Sequence, residues 1–461
     1  MLTAVILTFI IGYLAIVFEH PLKLDKTVPA LIMAAVCWAL VSLGHIPLPE
    51  GHIAHGAAHD YYKDELGPTL LHHIGKTAEI LIFLIGAMTI VELIDLHKGF
   101  SAITDRIKTT QKSTMLWLIT PLAFFLSATL DNLACTIVLV SLLRKLVPVK
   151  EERIYFIGLA VIAANAGGAW SPIGDVTTTM LWINDNVSTS GLIVNILIPS
   201  IVCAVVPTFF MSRMSYMKGA ITIPESSRET NTDSKKVVGS TVMLVAGLTG
   251  LIFVPIFKVI THLPPYVGMM LSLGMVWLIS EYLHPDEDFE DKHHYSAHNA
   301  LSRIEMSSIL FFLGILMAVA SLESMGTLKS LAVYMDNTIP NRDIVIAVLG
   351  LGSALIDNVP LVAAAMGMYT EGIDDKLWHF LAYSAGTGGS MLIIGSAAGV
   401  AAMGMEKIDF MWYVKHIAWL AFIGFVAGAI VFLLLYPVLN GDVSAADPIL
   451  NTGTDLIKTI G

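Results

Sequence analysis

Apolar runs near the roughly 20 residues that a bilayer-spanning helix needs recur at 2–18, 27–46, 75–96, 154–182, 190–211, 238–260, 265–283, 304–322, 377–404 and 413–436. They predict ten transmembrane helices. Two further apolar stretches, 114–146 and 343–370, are each too long for one ordinary span. Each is interrupted near its middle by an acid and an amide, Asp131-Asn132 in the first and Asp357-Asn358 in the second. The arms on either side are too short to cross comfortably at about 1.5 Å of rise per residue. A re-entrant hairpin with Asp-Asn at its tip fits better. Such backbone survives at membrane depth only where it is buried in protein or lines a watery cavity.

Composition strengthens this picture. The 461 residues are 55% hydrophobic and 14% charged, with a mean hydropathy of +0.74, whereas soluble domains carry about 25% charged residues. That balance gives an all-α polytopic membrane protein and leaves no nucleic-acid partner to expect. Cys37, Cys135 and Cys203 all lie in apolar segments, so no disulfide framework is implied. The first 18 residues lack a basic leader and a small-residue cleavage site, and read as a first span rather than a signal peptide.

Lys and Arg set the orientation. With both termini outside and each hairpin returning to the side it left, the inner segments collect the basic clusters. These are Lys23 and Lys26, Lys98 to Lys112, Arg144 to Arg153, Arg213 to Lys236, Lys292 and Arg303, and Lys407 and Lys415. The chain then divides into a first repeat at 1–211, a cytoplasmic linker at 212–237, a second repeat at 238–436 and a tail at 437–461. Each repeat holds five spans and one hairpin. Five is odd, so the second repeat enters the membrane inverted relative to the first.

The two halves also echo one another locally. Ser127-Ala128-Thr129-Leu130-Asp131-Asn132 returns as Ser353-Ala354-Leu355-Ile356-Asp357-Asn358. Gly167-Gly168, five residues and Gly174 return as Gly388-Gly389, five residues and Gly395. Glycines and Pro172 weaken a helix interior, so the fourth run (154–182) and the ninth (377–404) are expected to be helices broken in mid-membrane. Paired broken segments point to a transporter with its site at the repeat interface.

The chemistry follows from the side chains gathered there. Ser127, Asp131, Asn132, Asn165, Ser171, Asp175, Thr177 and Thr178 offer hard oxygen ligands, suited to a hard cation. The second half offers Ser353, Asp357, Asn358, Thr387 and Ser390, but Ser396 stands where the first half has Asp175. The first half is therefore expected to carry the main cation site. A site able to hold protons in one state and a cation in the other is an exchanger in outline. No Arg or Lys lies in these four motifs, which favours a cation over an anionic substrate. Asp and Asn are also preferred helix N-caps, so Asp131, Asp357 and Asp175 have structural roles open to them as well.

The motifs S-A-x-x-D-N-x-x-x-T and N-A-G-G-x-x-S-P-I-G-D-V-T-T resemble those of the NhaD-type sodium/proton antiporters of the ion transporter superfamily. That resemblance implies export of sodium or lithium in exchange for protons by alternating access, with no cofactor. It implies activity favoured at alkaline pH, a bacterial inner membrane, and a homodimer with an elevator-like moving domain. The ion- and proton-binding candidates it carries over are Ser127, Asp131, Asn132, Asn165, Asp175, Thr177, Ser353, Asp357, Asn358 and Ser390, with sodium expected at Asp131, Asn132, Asp175 and Thr177. A sodium-coupled organic-anion carrier and an arsenite or metalloid permease are the alternatives. The latter draws on Cys135, three residues past Asn132. No nucleophile–base set suggests an enzyme. Loop histidines at His52, His55, His59, His293, His294 and His298 are candidates for pH sensing.

Overall fold

The computed structural model describes residues 1–48, 60–100, 107, 109–222, 239–283, 297–339, 341–355 and 357–441. Most of the expected linker, the tail beyond 441 and His52, His55, His59, His293 and His294 lie outside the described residues. Apart from one isolated bridge between Gln111 and Ala220, the regular structure described is helical.

Helices satisfy every backbone group within the segment, as lipid requires. Seven of the described helices are long and apolar enough to cross a membrane, which gives a multi-pass membrane protein. The chain opens with α1 (Leu2–Val17) and α2 (Thr27–Leu43), both shorter, and then α3 (Tyr62–Leu96), the first of the seven. Next come α4 (Lys112–Leu130) and α5 (Asn132–Leu146), with Asp131 alone between them. The fourth apolar run is two pieces, α6 (Lys150–Ala169) and α7 (Val176–Ile183), followed by α8 (Thr189–Arg213).

Past the linker lie α9 (Ser240–Thr261), α10 (Pro265–Leu283), α11 (Met306–Ser324) and α12 (Thr327–Thr338). Next are α13 (Arg342–Gly352) and α14 (Asn358–Met368), on either side of the second Asp-Asn pair. The ninth run is again two pieces, α15 (Lys376–Gly388) and α16 (Ala397–Glu406). The helical segment α17 (Phe410–Asn440) closes the described chain.

Three boundaries depart from the apolar-run reading. The third span begins at Tyr62, not at 75, because its first turns carry Lys63, Asp64 and Glu65 and so fall outside a hydrophobic window. Helix α12 was not anticipated, since its apolar positions alternate with Lys329, Asp336 and Asn337 rather than running together. The last helix runs to Asn440, past the boundary drawn at 436.

The helices pair in a reciprocal way. α1 packs on α2 as α9 packs on α10, and α4 packs on α6 as α13 packs on α15. α2 runs parallel to α11, with Thr27 Oγ1 donating to the Ser307 carbonyl and Trp38 Nε1 to the Met317 carbonyl. α3 runs parallel to α10, with Gly86 against Met269 and His97 near Ser280. α8 and α17 lie antiparallel, with Gly428 against Pro199 and Gly424 against Pro207.

The glycine motifs let backbones touch. A Cβ on Gly167 would strike the Phe124 carbonyl of α4, and one on Gly388 would strike the Gly350 carbonyl of α13. Because backbone cannot yield as a side-chain tip does, Gly167→Ala is expected to cost about 1–3 kcal/mol. Gly404→Ala, where nothing lies within 4 Å, is the control and is expected to lose nothing. Thermal unfolding of the detergent-solubilised variants measures both.

One end of these crossed helices is held by buried Glu406, the last residue of α16. It accepts from Arg144 Nε at 2.6 Å and from Arg153 Nη2 at 2.8 Å. At the opposite end, Asp374 accepts from the Ser188 amide at 2.7 Å, and Lys376 pairs with Asp343 at 2.7 Å.

Candidate functional site

The first Asp-Asn pair sits where α4 and α5 meet end to end, and the second sits at the start of α14, five residues beyond the end of α13. Asp131 has φ 71° and ψ 162°, a conformation that residues other than glycine rarely adopt. Its carboxylate accepts from the Ala134 amide at 2.8 Å and so caps α5. Asp357 caps α14 more loosely, accepting from the Val359 amide at 3.3 Å. The capping role is real at the start of both α5 and α14. Asp175 precedes α7 without capping it through its side chain.

Instead, Asp175 is the point where the two Asp-Asn pairs converge. Asn132 Nδ2 donates to Asp175 Oδ1 at 3.0 Å, and Asn358 Nδ2 lies 3.5 Å from Asp175 Oδ2. The Thr177 hydroxyl also donates to Oδ2. Asn132 donates further to Asn165 Oδ1 at 3.0 Å, and Asn165 Nδ2 donates to Ser396 Oγ at 3.0 Å. One polar chain thus links the start of α5, the break between α6 and α7, the break between α15 and α16, and the start of α14. Asp175, at 2% exposure, and Asn165, at 0%, are at its centre.

A cavity of about 40 Å³ opens beside this chain. Asp131, Asn132, Asp175, Asp357, Asn358, Ser308 and Lys26 supply its polar lining. Its volume is more than the roughly 10–15 Å³ that a single water needs. Among the described residues no three acidic, histidine or cysteine side chains converge on one metal-binding point. A guest here would combine one or two carboxylate oxygens with amide, hydroxyl or carbonyl oxygens.

The remaining candidates fall into a second layer. Ser127 is fully buried and its hydroxyl has no hydrogen-bond partner. Ser353, its counterpart, donates to the Gly350 carbonyl at 2.7 Å. Ser390 donates to the Thr387 carbonyl at 2.6 Å and does not line the cavity. Cys135 is buried with its thiol toward the Ala123 carbonyl and is likewise not in the lining.

Lys26 is the residue that motif reading missed. It precedes α2, far from the motifs in sequence, and its ammonium lies 2.7 Å from Asp357 Oδ2. The four motifs hold no Lys or Arg, yet the cavity they form does. Since Asp357 pairs with it, three carboxylates face one ammonium and the cavity stays acidic overall when all are ionised.

A second cavity, of about 200 Å³, lies along the same groove, with His73, Lys76, Asn184, Asn186 and Glu323 among its walls. The two cavities share four helices, and on each the lining residues are one turn apart. Leu84 and Ile80 lie on α3, Phe312 and Leu316 on α11, Val176 and Met180 on α7, and Val359 and Ala363 on α14. One helical turn, about 5.4 Å, separates the acidic cavity from the larger one.

Comparison with known proteins gives consistent findings. The family CitMHS, described as citrate transporter, matches residues 13–379. The chain is 45% identical over 436 residues to sodium/proton antiporter 1 of Arabidopsis thaliana, covering 94% of this chain and 72% of that protein. It is 43% identical over 433 residues to sodium/proton antiporter 2 of the same plant, covering 93% and 99%. It is also similar to the Na(+)/H(+) antiporter NhaD of Vibrio cholerae, at 28% identity over 461 residues, covering 94% and 91%.

Proposed function

We propose that this chain, which belongs to the citrate-transporter family CitMHS, is a secondary antiporter that exports sodium or lithium in exchange for protons by alternating access. The observation that carries the reading is Asp175, buried and contacted by the amides of both tips, with Asp131 on the same small cavity. Two carboxylates and neutral oxygens around a space of this size suit a small hard cation. They also suit protons when the cation has left. Protons entering down their gradient neutralise Asp131, Asp175 or both and release the cation outside. Deprotonation inside readies the site again.

Several features support the finer reading. Reciprocal pairing of α2 with α11 and α3 with α10 is what two inverted repeats would produce. The second span of each half then meets the third span of the other. Asp131 at a one-residue break and Asp357 between α13 and α14 suit re-entrant hairpin tips. The distribution of Lys and Arg favours both termini outside a bacterial inner membrane. In that orientation the larger cavity opens outward, and the shared groove is the path between it and the acid pair. Asn132 lines the cavity, and Thr177, bonded to Asp175, and Ser127, with its unpartnered hydroxyl, are the further neutral oxygens of the first-half position. Ser353, Asp357, Asn358 and Ser390 form the weaker second-half position. Two copies of the chain, each with its hairpins and broken helices as the moving part, make the working unit.

The family's description raises the second reading, carriage of a carboxylate coupled to sodium. Against it, the cavity's one ammonium is already paired with Asp357. The space is also smaller than a tricarboxylate needs.

Everted membrane vesicles with a respiration-driven pH gradient test the choice. Sodium or lithium chloride is expected to collapse the gradient somewhere between roughly pH 6.5 and 9.5, where tuned carboxylates titrate. Labelled citrate is expected to stay outside. No collapse with either cation at any pH, with sodium-dependent citrate uptake instead, reverses the assignment.

A further inference from the structure

Resting on the antiport reading, we propose that Lys26 is a tethered competitor for the transported cation, its ammonium holding Asp357 while the site awaits a guest. Three observations carry this. First, Lys26 stands at the N-cap of α2, the positive end of the helix dipole, where a basic residue is disfavoured. Helix stability therefore does not explain it.

Second, the ammonium is held from two sides. Asp357 Oδ2 lies 2.7 Å away, and the Phe311 ring lies beneath it with its centroid at 4.5 Å. α2 and α11 supply the lysine and the ring, and the second Asp-Asn tip supplies the carboxylate. The contact thus joins the paired helices to the tip.

Third, Lys26 shares one cavity of about 40 Å³ with Asp131 and Asp175. Two monovalent cations a few ångströms apart in so small a space repel strongly, because little water screens them. The charged neighbours on every side are acidic: Asp357 on the tip, Glu305 before α11, Glu19 and Asp25 beside α2, and Asp131 across the cavity. Among the described residues, Lys26 is the one basic group in the cavity's lining.

A small cation reaching the acids must therefore weaken or displace the Lys26–Asp357 pair. The lysine lowers the site's affinity for its guest and returns to Asp357 when the guest leaves. It sets how readily a loaded site lets go.

Calorimetric titration of sodium chloride into the purified, detergent-solubilised full chain tests this. Lys26→Met is expected to bind sodium about tenfold tighter than wild type, and Lys26→Arg close to wild type. A chemical rescue separates charge from packing. Lys26→Cys is expected to behave as Lys26→Met. Reaction with 2-aminoethyl methanethiosulfonate, which restores an ammonium, is expected to return wild-type affinity, while the uncharged methyl reagent leaves it tight. The native Cys37, Cys135 and Cys203 are buried and shielded from both reagents. Unchanged or weaker sodium binding in Lys26→Met, or equal affinities with the two reagents, overturns the proposal. So does citrate binding that Lys26→Met abolishes, which would make the lysine an anion anchor. A wild-type protein that takes up no sodium overturns the antiport reading itself and Lys26 with it.

Discussion

Asp175→Asn is expected to abolish sodium-driven proton exchange while the protein inserts and folds almost as wild type. The carboxylate accepts from Asn132 on one oxygen and from Thr177 and Asn358 on the other. In the variant the new carbonyl oxygen still faces the Asn132 amide. The new NH₂ donates to the Thr177 hydroxyl, which turns round to accept. About one hydrogen bond is lost, worth roughly 0.5–1.5 kcal/mol, and burying a neutral amide costs less than burying a charge. What disappears is the negative charge at the meeting point of the two Asp-Asn pairs. Without it the cavity keeps Asp131 and a Lys26–Asp357 pair that cancels itself. The site can then no longer alternate between a proton and a cation at its centre. Gradient collapse in everted vesicles and thermal unfolding in detergent read the two halves of this expectation. Full exchange activity in a folded Asp175→Asn protein removes Asp175 from the mechanism.

The same geometry explains what sequence alone made readable. An acid inside an apolar run is costly, so Asp131, Asp175 and Asp357 stood out without any knowledge of the fold. The glycine echoes were legible too, because Gly167 and Gly388 occupy positions where a side chain has no room. The count of ten spans was only partly legible: six of those runs are helices long enough to cross, and the seventh such helix, α4 (Lys112–Leu130), is an arm of the 114–146 stretch that its expected length had ruled out as a span. Pro265–Leu283 was read to the residue because proline and a polar segment bound it. Helix α12 was not legible this way, since its signal is periodic rather than continuous.

Lys26 was invisible for a different reason. It is 331 residues from Asp357 in the chain, in a polar segment where a lysine reads only as a mark of membrane orientation. Its place in the site depends on α2 lying parallel to α11, and a single sequence carries no pattern for that pairing. The asymmetry between halves was half legible. Ser396 against Asp175 predicted unequal tips, but not that Ser396 would serve the first half through Asn165.

The strained backbone at Asp131 leads to the second large effect. Held at φ 71° and ψ 162°, a non-glycine residue costs on the order of 1–3 kcal/mol, and glycine adopts this conformation freely. Replacing an N-cap by glycine loses only a few tenths of a kcal/mol. Removing a carboxylate from the membrane interior is favourable in its own right. Asp131→Gly is therefore expected to be more stable than wild type, by about 1 kcal/mol, and inactive in exchange. Asp131→Asn keeps a capping oxygen and bears the same backbone strain as the aspartate, so it is expected to match wild-type stability and to be equally inactive. The pair separates two explanations of the residue. If Asp131 were kept for capping α5, both variants would transport and glycine would be the weaker fold. If it is kept for its charge, stability and activity move in opposite directions. That outcome means the chain retains a strained, buried acid at the break between α4 and α5 because exchange requires it there. Melting temperature and sodium-driven gradient collapse on the same preparations decide between them.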